Sequence, residues 1–175
     1  MKRSLRSILS VITLSAVMLG MAACADKKVN EPNETNVTVS VPAGYESARG
    51  GEQEIPDRGT IGGYEYGVME TGTDGQGIRK NRGFYVDTLD EPNAPYFIFV
   101  CSGEKSSGGY EIRISDVWVD SQGEITVVVE ETSPAGDAAT AVMTAPYCGL
   151  QLVQCPESVK VIDIYGNPFS EISGL

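Results

Sequence analysis

YEIRISDVWVDSQGEITVVVE, residues Tyr110–Glu130, reads as a β-hairpin and sets the fold class. Tyr110, Ile112 and Ile114 alternate with Glu111 and Arg113, the period of two that sends successive side chains to opposite faces of a strand. Val117-Trp118-Val119 continues the strand, but out of phase with Ile112 and Ile114. The break falls at Ser115-Asp116, where an extra residue, a β-bulge, is expected. Asp120-Ser121-Gln122-Gly123 has turn composition. Ile125, Val127 and Val129 then alternate with Thr126, Val128 and Glu130, so the chain folds back on itself.

Working outward, Tyr96–Cys101 (YFIFVC) is a continuous apolar run between Pro95 and Ser102-Gly103, as a strand buried on both faces would be. Ser133–Asp137 is a further turn. Ala139–Thr144 and Tyr147–Cys155 read as two strands around Ala145-Pro146, and Val159–Tyr165 as a last one. Beyond residue 23 no stretch sustains apolar spacing at the helical period. The expectation is an all-β, small antiparallel β-sandwich or barrel-like domain over residues 59–175.

The segment before it has another character. Lys2, Arg3 and Arg6 precede the twelve-residue apolar run Ile8–Leu19, and small residues lead into Met21-Ala22-Ala23-Cys24. That run falls short of the roughly 20 residues a spanning helix needs. Residues 1–23 have the layout of a secretory signal peptide, and their end resembles a bacterial lipobox. Cleavage before Cys24 and lipid on its thiol and amine are therefore expected. Residues 24–58 are rich in Asn, Glu, Pro, Gly and Ser, and are expected to be a flexible tether with one short strand at Val37–Val41.

The chain holds 13 basic and 24 acidic residues, and residues 1–23 carry three of the basic ones, so cleavage leaves ten against 24, a formal charge of −14. No nucleic-acid or anionic-lipid footprint is expected on so acidic a surface. Membrane attachment rests on acyl chains at Cys24. Histidine is absent, which removes the usual Ser-His-Asp and Cys-His arrangements and histidine-based zinc sites. No catalytic residue, metal or cofactor is expected. In one extended strand the ends of Cys148–Cys155 lie about 23 Å apart, while a disulfide needs α-carbons roughly 4.4–6.8 Å apart. These two cysteines are not partners; either Cys101 pairs with one of them or all three stay free.

A family resemblance is carried by YFIFVCSGEKSSGGYEIRI (96–114), the hairpin, EETSPAG (130–136), MTAPY (143–147) and a closing apolar strand. This succession, over about 96–165, resembles the C-terminal domain of the protease-complex subunit PrcB family of secreted, often lipid-anchored bacterial proteins. That family shows a Gly-x-basic-x-Thr-Gly-Gly-Tyr loop after a strand, then a Pro-Gly turn, then Thr-x-Pro-Tyr. The matches are Gly103, Lys105, Ser107, Gly108, Gly109 and Tyr110, then Pro134 and Gly136, then Thr144, Pro146 and Tyr147; Ser106-Ser107 stands where Pro-Thr is usual. The resemblance implies a non-catalytic, lipid-anchored protein of the bacterial cell envelope, at the outer membrane or cell surface, that assembles or stabilises a surface protease complex. The loop also resembles the Thr-Thr-Gly-Tyr loop of chagasin-like cysteine-protease inhibitors, which gives the alternative of a protease-inhibitor-like module using Gly103–Gly109. From the residues alone, that loop is either a binding element or only a crossover with Tyr110 in the core. Gly-Gly-Tyr-Glu also occurs at Gly62–Glu65, but its flanks do not match, so no internal repeat is expected.

Overall fold

The computed structural model describes residues 39–89, 94–135 and 141–173. Residues 1–38, with the expected signal peptide and the expected lipidation site Cys24, and Gly136 lie outside the described residues. Nine strands are described: β1 (Glu46–Ser47), β2 (Arg58–Ile61), β3 (Tyr64–Gly72), β4 (Arg82–Thr88), β5 (Tyr96–Ser102), β6 (Glu111–Val119), β7 (Glu124–Thr132), β8 (Tyr147–Leu152) and β9 (Ser158–Asp163). They form two sheets, ordered β1-β6-β7-β9 and β2-β3-β8-β5-β4. The sheets pack face to face as a sandwich, without closing into a barrel.

The β6–β7 hairpin forms as its sequence dictates. The register shifts between Ile114 and Asp116, so Ile112 and Ile114 before the bulge share the core with Val117 and Val119 after it. Asp120 holds the turn, its Oδ1 accepting the backbone N–H groups of Gln122 and Glu124 at 2.9 Å each. Across the interior, Ile98, Val100, Cys148, Leu150 and Leu152 meet Val127, Val129 and Val161. All of these are nearly inaccessible, and fully burying such a side chain contributes roughly 1.5–3 kcal/mol.

Three features depart from the sequence expectation. β7 and β9 run parallel, with Val127 opposite Val161, because the chain crosses to the other sheet as β8 before returning. β8 stops at Leu152, leaving Cys155 beyond it. The strand expected at Ala139–Thr144 is not formed among its described residues, where Thr144 makes only an isolated bridge to Lys105.

The tether expectation for 24–58 also changes within the described residues. Val39 donates its N–H to the Ile164 carbonyl at 3.1 Å, with no strand at 39–41. Glu46 and Ser47 pair with Val119 and Trp118. Ser47 and Arg49 bind the buried Asp116 carboxylate. Local composition does not show this, because the partner lies nearly 70 positions away (sequence separation 69 for Ser47).

The two Gly-Gly-Tyr-Glu copies do different jobs. Gly62 and Gly63, at φ +52° and +86°, form the two-residue turn between β2 and β3. That is the positive-φ pair a tight hairpin needs. A Cβ on Gly62 would stand 2.6 Å from Val119 Cγ1, so the turn also seats against the opposite sheet. The second copy crosses from β5 in one sheet to β6 in the other.

Cys101, Cys148 and Cys155 are free thiols. Register places Cys148 opposite Val100, and Cys101 opposite Tyr147, on the other face of the same sheet. Burial pushes the Cys101 thiol up to about 11 from 9.0, and Cys148 is raised further in the same direction by burial. In the native protein at pH 8, Cys155 is expected to react with a thiol reagent at once, and the two buried thiols only on unfolding. The unfolded chain ionises these thiols from about pH 9, while folded Cys101 waits until about 11. Stability is therefore expected to fall as pH rises through that window, checked by thermal melts from pH 8 to 11.

Candidate functional site

Because β5 and β6 belong to different sheets, Gly103–Gly109 must bridge them, and its backbone polar groups need partners on the way. The Glu104 N–H donates to the Lys80 carbonyl at 2.9 Å. Lys105 exchanges both backbone bonds with Thr144, at 2.7 and 3.1 Å. The Thr144 hydroxyl donates to the Ser107 carbonyl at 3.0 Å. Ser102 N–H reaches the carbonyl of buried Pro146 at 2.9 Å. The sequence-matched loop and the Thr144-Ala145-Pro146-Tyr147 segment are thus one assembly. Gly103 and Gly108 are buried within it, Ser106 and Gly109 are exposed, and Lys105, Ser107 and Tyr110 are half-buried. The Lys105 ammonium lies 5.4 Å from the Tyr110 ring centroid.

Gly109 shows why the pattern needs glycine here. Its φ is +87°, and a Cβ would come within 2.7 Å of Pro134 Cβ, so the loop glycine and the turn proline are steric partners. Gly109→Val is expected to destabilise the domain by about 1–3 kcal/mol, the cost of a left-handed non-glycine residue. A urea melt checks it.

A third segment completes this end. The Ala145 N–H donates to the Thr73 carbonyl at 2.9 Å, and the Gly75 N–H to the Ala145 carbonyl at 3.0 Å. The 3₁₀ turn Gly77–Lys80 follows; Lys80 pairs with Glu104 at 3.1 Å. Arg79 sits over the outer face of the five-stranded sheet. Its Cζ is 4.5 Å from the ring centroids of both Phe99 and Tyr147. Its Nε donates to the Tyr85 hydroxyl at 2.7 Å, and burial raises the Tyr85 pKa. This cluster makes β5 buried on both faces, as its apolar run predicts. Beside it, Val142 and Met143 are 59% and 64% exposed. They line a cleft of about 300 Å³ with Asp74, Gln76 and Glu104.

The structure brings the predicted loop and the Thr144–Tyr147 segment together, and adds beside them Arg79 and the exposed Val142–Met143 pair, which the sequence does not single out. The apolar pair falls in the stretch 139–144, whose composition predicts a strand, and Arg79 lies in a segment without periodicity. What this end offers chemically is an apolar pair, fixed loop backbone and aromatic-held cations, a composition suited to contact with another protein.

No curated protein and no solved structure matches the chain. A family model described as PrcB C-terminal matches residues 96–152, from the first residue of β5 to the last of β8. The matched span contains the bridging loop, the Pro134 that Gly109 abuts and the Thr144–Tyr147 segment that pins the loop, so residues 96–152 of this chain are similar to the PrcB C-terminal domain.

Proposed function

We propose that this protein is a non-catalytic, lipid-anchored subunit of the bacterial cell envelope that assembles or stabilises a surface protease complex. The observation that carries the reading is the fixed end of the domain. The loop of the PrcB C-terminal match is tied to 144–147 by backbone bonds, and exposed Val142 and Met143 stand beside it. Large apolar side chains held in the open next to a rigid loop favour a protein partner. The lipobox-like Met21–Cys24 supplies the anchor, and Cys24→Ser is expected to move the protein from the membrane fraction to the soluble one or to leave it unprocessed.

The test is affinity purification of the full chain from its native envelope. Wild type is expected to bring down a protease component, and Val142→Asp/Met143→Asp to lose it while melting at the wild-type temperature. A wild-type preparation that recovers no protease component would refute the reading.

A further inference from the structure

We propose that the groove around Arg79 is a binding site for a carboxylate side chain, Asp or Glu, on an extended segment of a partner protein. The inference builds on reading this end of the domain as a protein-contact surface, and rests on how the guanidinium is held. Phe99 and Tyr147 lie 4.5 Å from its carbon, and Nε is engaged by Tyr85. What remains is the fork of Nη1 and Nη2, to which no described side chain or backbone group bonds. No described carboxylate lies within 4.0 Å of Arg79, in a chain with 24 acidic residues. Among the described residues no fully buried polar side-chain atom lacks a partner, so the unpaired fork reaches solvent.

That fork opens on a groove of about 570 Å³ lined by Asp74, Gln76, Ile78, Tyr85 and Asp87. A planar guanidinium with fixed orientation and a free fork matches a carboxylate through two parallel hydrogen bonds, and its aromatic neighbours remove the rotamer entropy that binding would otherwise cost. A lysine could not replace it, since a point charge has neither the fork nor the stacking plane. Asp74 and Asp87 on the rim set a second condition. They repel a run of acids and favour a carboxylate followed by a basic residue. The partner motif inferred is therefore a single acidic residue beside a basic one.

The experiment is nitrogen-15 NMR of the full chain in detergent, following the Arg79 Nε–Hε signal and the Ile78 and Tyr147 amides. The probes are three peptides: acetyl-Gly-Glu-Lys-Gly-amide, its Gln analogue, and the Gln analogue with a free C-terminal carboxylate. The Glu peptide is expected to give saturable shifts and to bind roughly tenfold tighter than the Gln amide, the effect of one charge-assisted pair. Arg79→Lys, verified by its melt, is expected to abolish the difference at the two amides. Equal binding of the Glu and Gln amides, absence of saturable shifts, or tighter binding of the free-carboxylate peptide would overturn the assignment. Recovery of a protease component in the envelope purification, alongside no peptide shift, would remove this site and leave the assembly role standing.

Discussion

Replacing Asp116 by alanine is expected to destabilise the domain by about 3–5 kcal/mol, the range for breaking a buried charged pairing from one side. The carboxylate is 2% exposed. Its Oδ2 accepts from Ser47 Oγ and Trp118 Nε1, each at 2.7 Å. Its Oδ1 accepts from the N–H groups of Val117 at 2.8 Å and Arg49 at 3.1 Å. The Arg49 guanidinium stands 3.9 Å away. Alanine strands these donors, and the buried ones among them have no water to turn to. Asparagine keeps the shape but turns an NH₂ group towards donors, so Asp116→Asn is expected to cost about 1–3 kcal/mol. Arg113→Ala is the control: its 2.6 Å contact to Glu130 is exposed and contributes only about 0–1 kcal/mol. Denaturant melts of the three variants test the order. Asp116→Ala no more damaging than Arg113→Ala would show that the network holds nothing together.

The second large effect is expected at Phe169. The segment Asn167–Ile172 closes one side of the sandwich. Asp163 N–H donates to the Asn167 carbonyl and Phe169 N–H to the Val161 carbonyl, each at 2.9 Å on the β9 edge. Phe84 N–H then donates to the Ser170 carbonyl at 3.0 Å, and Ile172 N–H to the Phe84 carbonyl at 2.7 Å, on the β4 edge of the other sheet. Phe169, 4% exposed, anchors the crossing in the core, with the Arg82 guanidinium 3.8 Å from its ring. Phe169→Ala is expected to cost about 3–5 kcal/mol, against a total of about 5–15 kcal/mol for a domain. Faster hydrogen exchange at the amides of Asp163 and Phe84, which donate to the closing segment, than at Leu150 would locate the loss. An unchanged melt would mean that the crossing is only a surface covering.

These two features also mark where reading the sequence stops. The β6–β7 hairpin, its bulge and β5 were legible because alternation and a turn are local. β3 and β4 were not, since Gly67 and Gly72 interrupt the one, and Arg82 and Asp87 flank a short apolar stretch in the other. The closing segment was invisible because a single Phe169 carries its burial. Asp116 read as a phase break and nothing more, as Ser47 and Arg49 come from a stretch whose composition is that of a spacer. At the site, the loop and Thr144–Tyr147 stood out through motif order, but their mutual hydrogen bonds depend on the strand order β8-β5, which no local pattern states.

The most direct test of the central claim places a photo-crosslinking residue at Met143 in the native envelope. The comparison is the same residue at Gln122, in the β6–β7 turn at the far end of that strand pair from Glu111 and Thr132. The expected result is a crosslink to a protease component from Met143 only, lost when Val142→Asp is added. A protease crosslink that forms equally from Gln122, or from Gln122 alone, would contradict the assignment of the loop end as the contact surface.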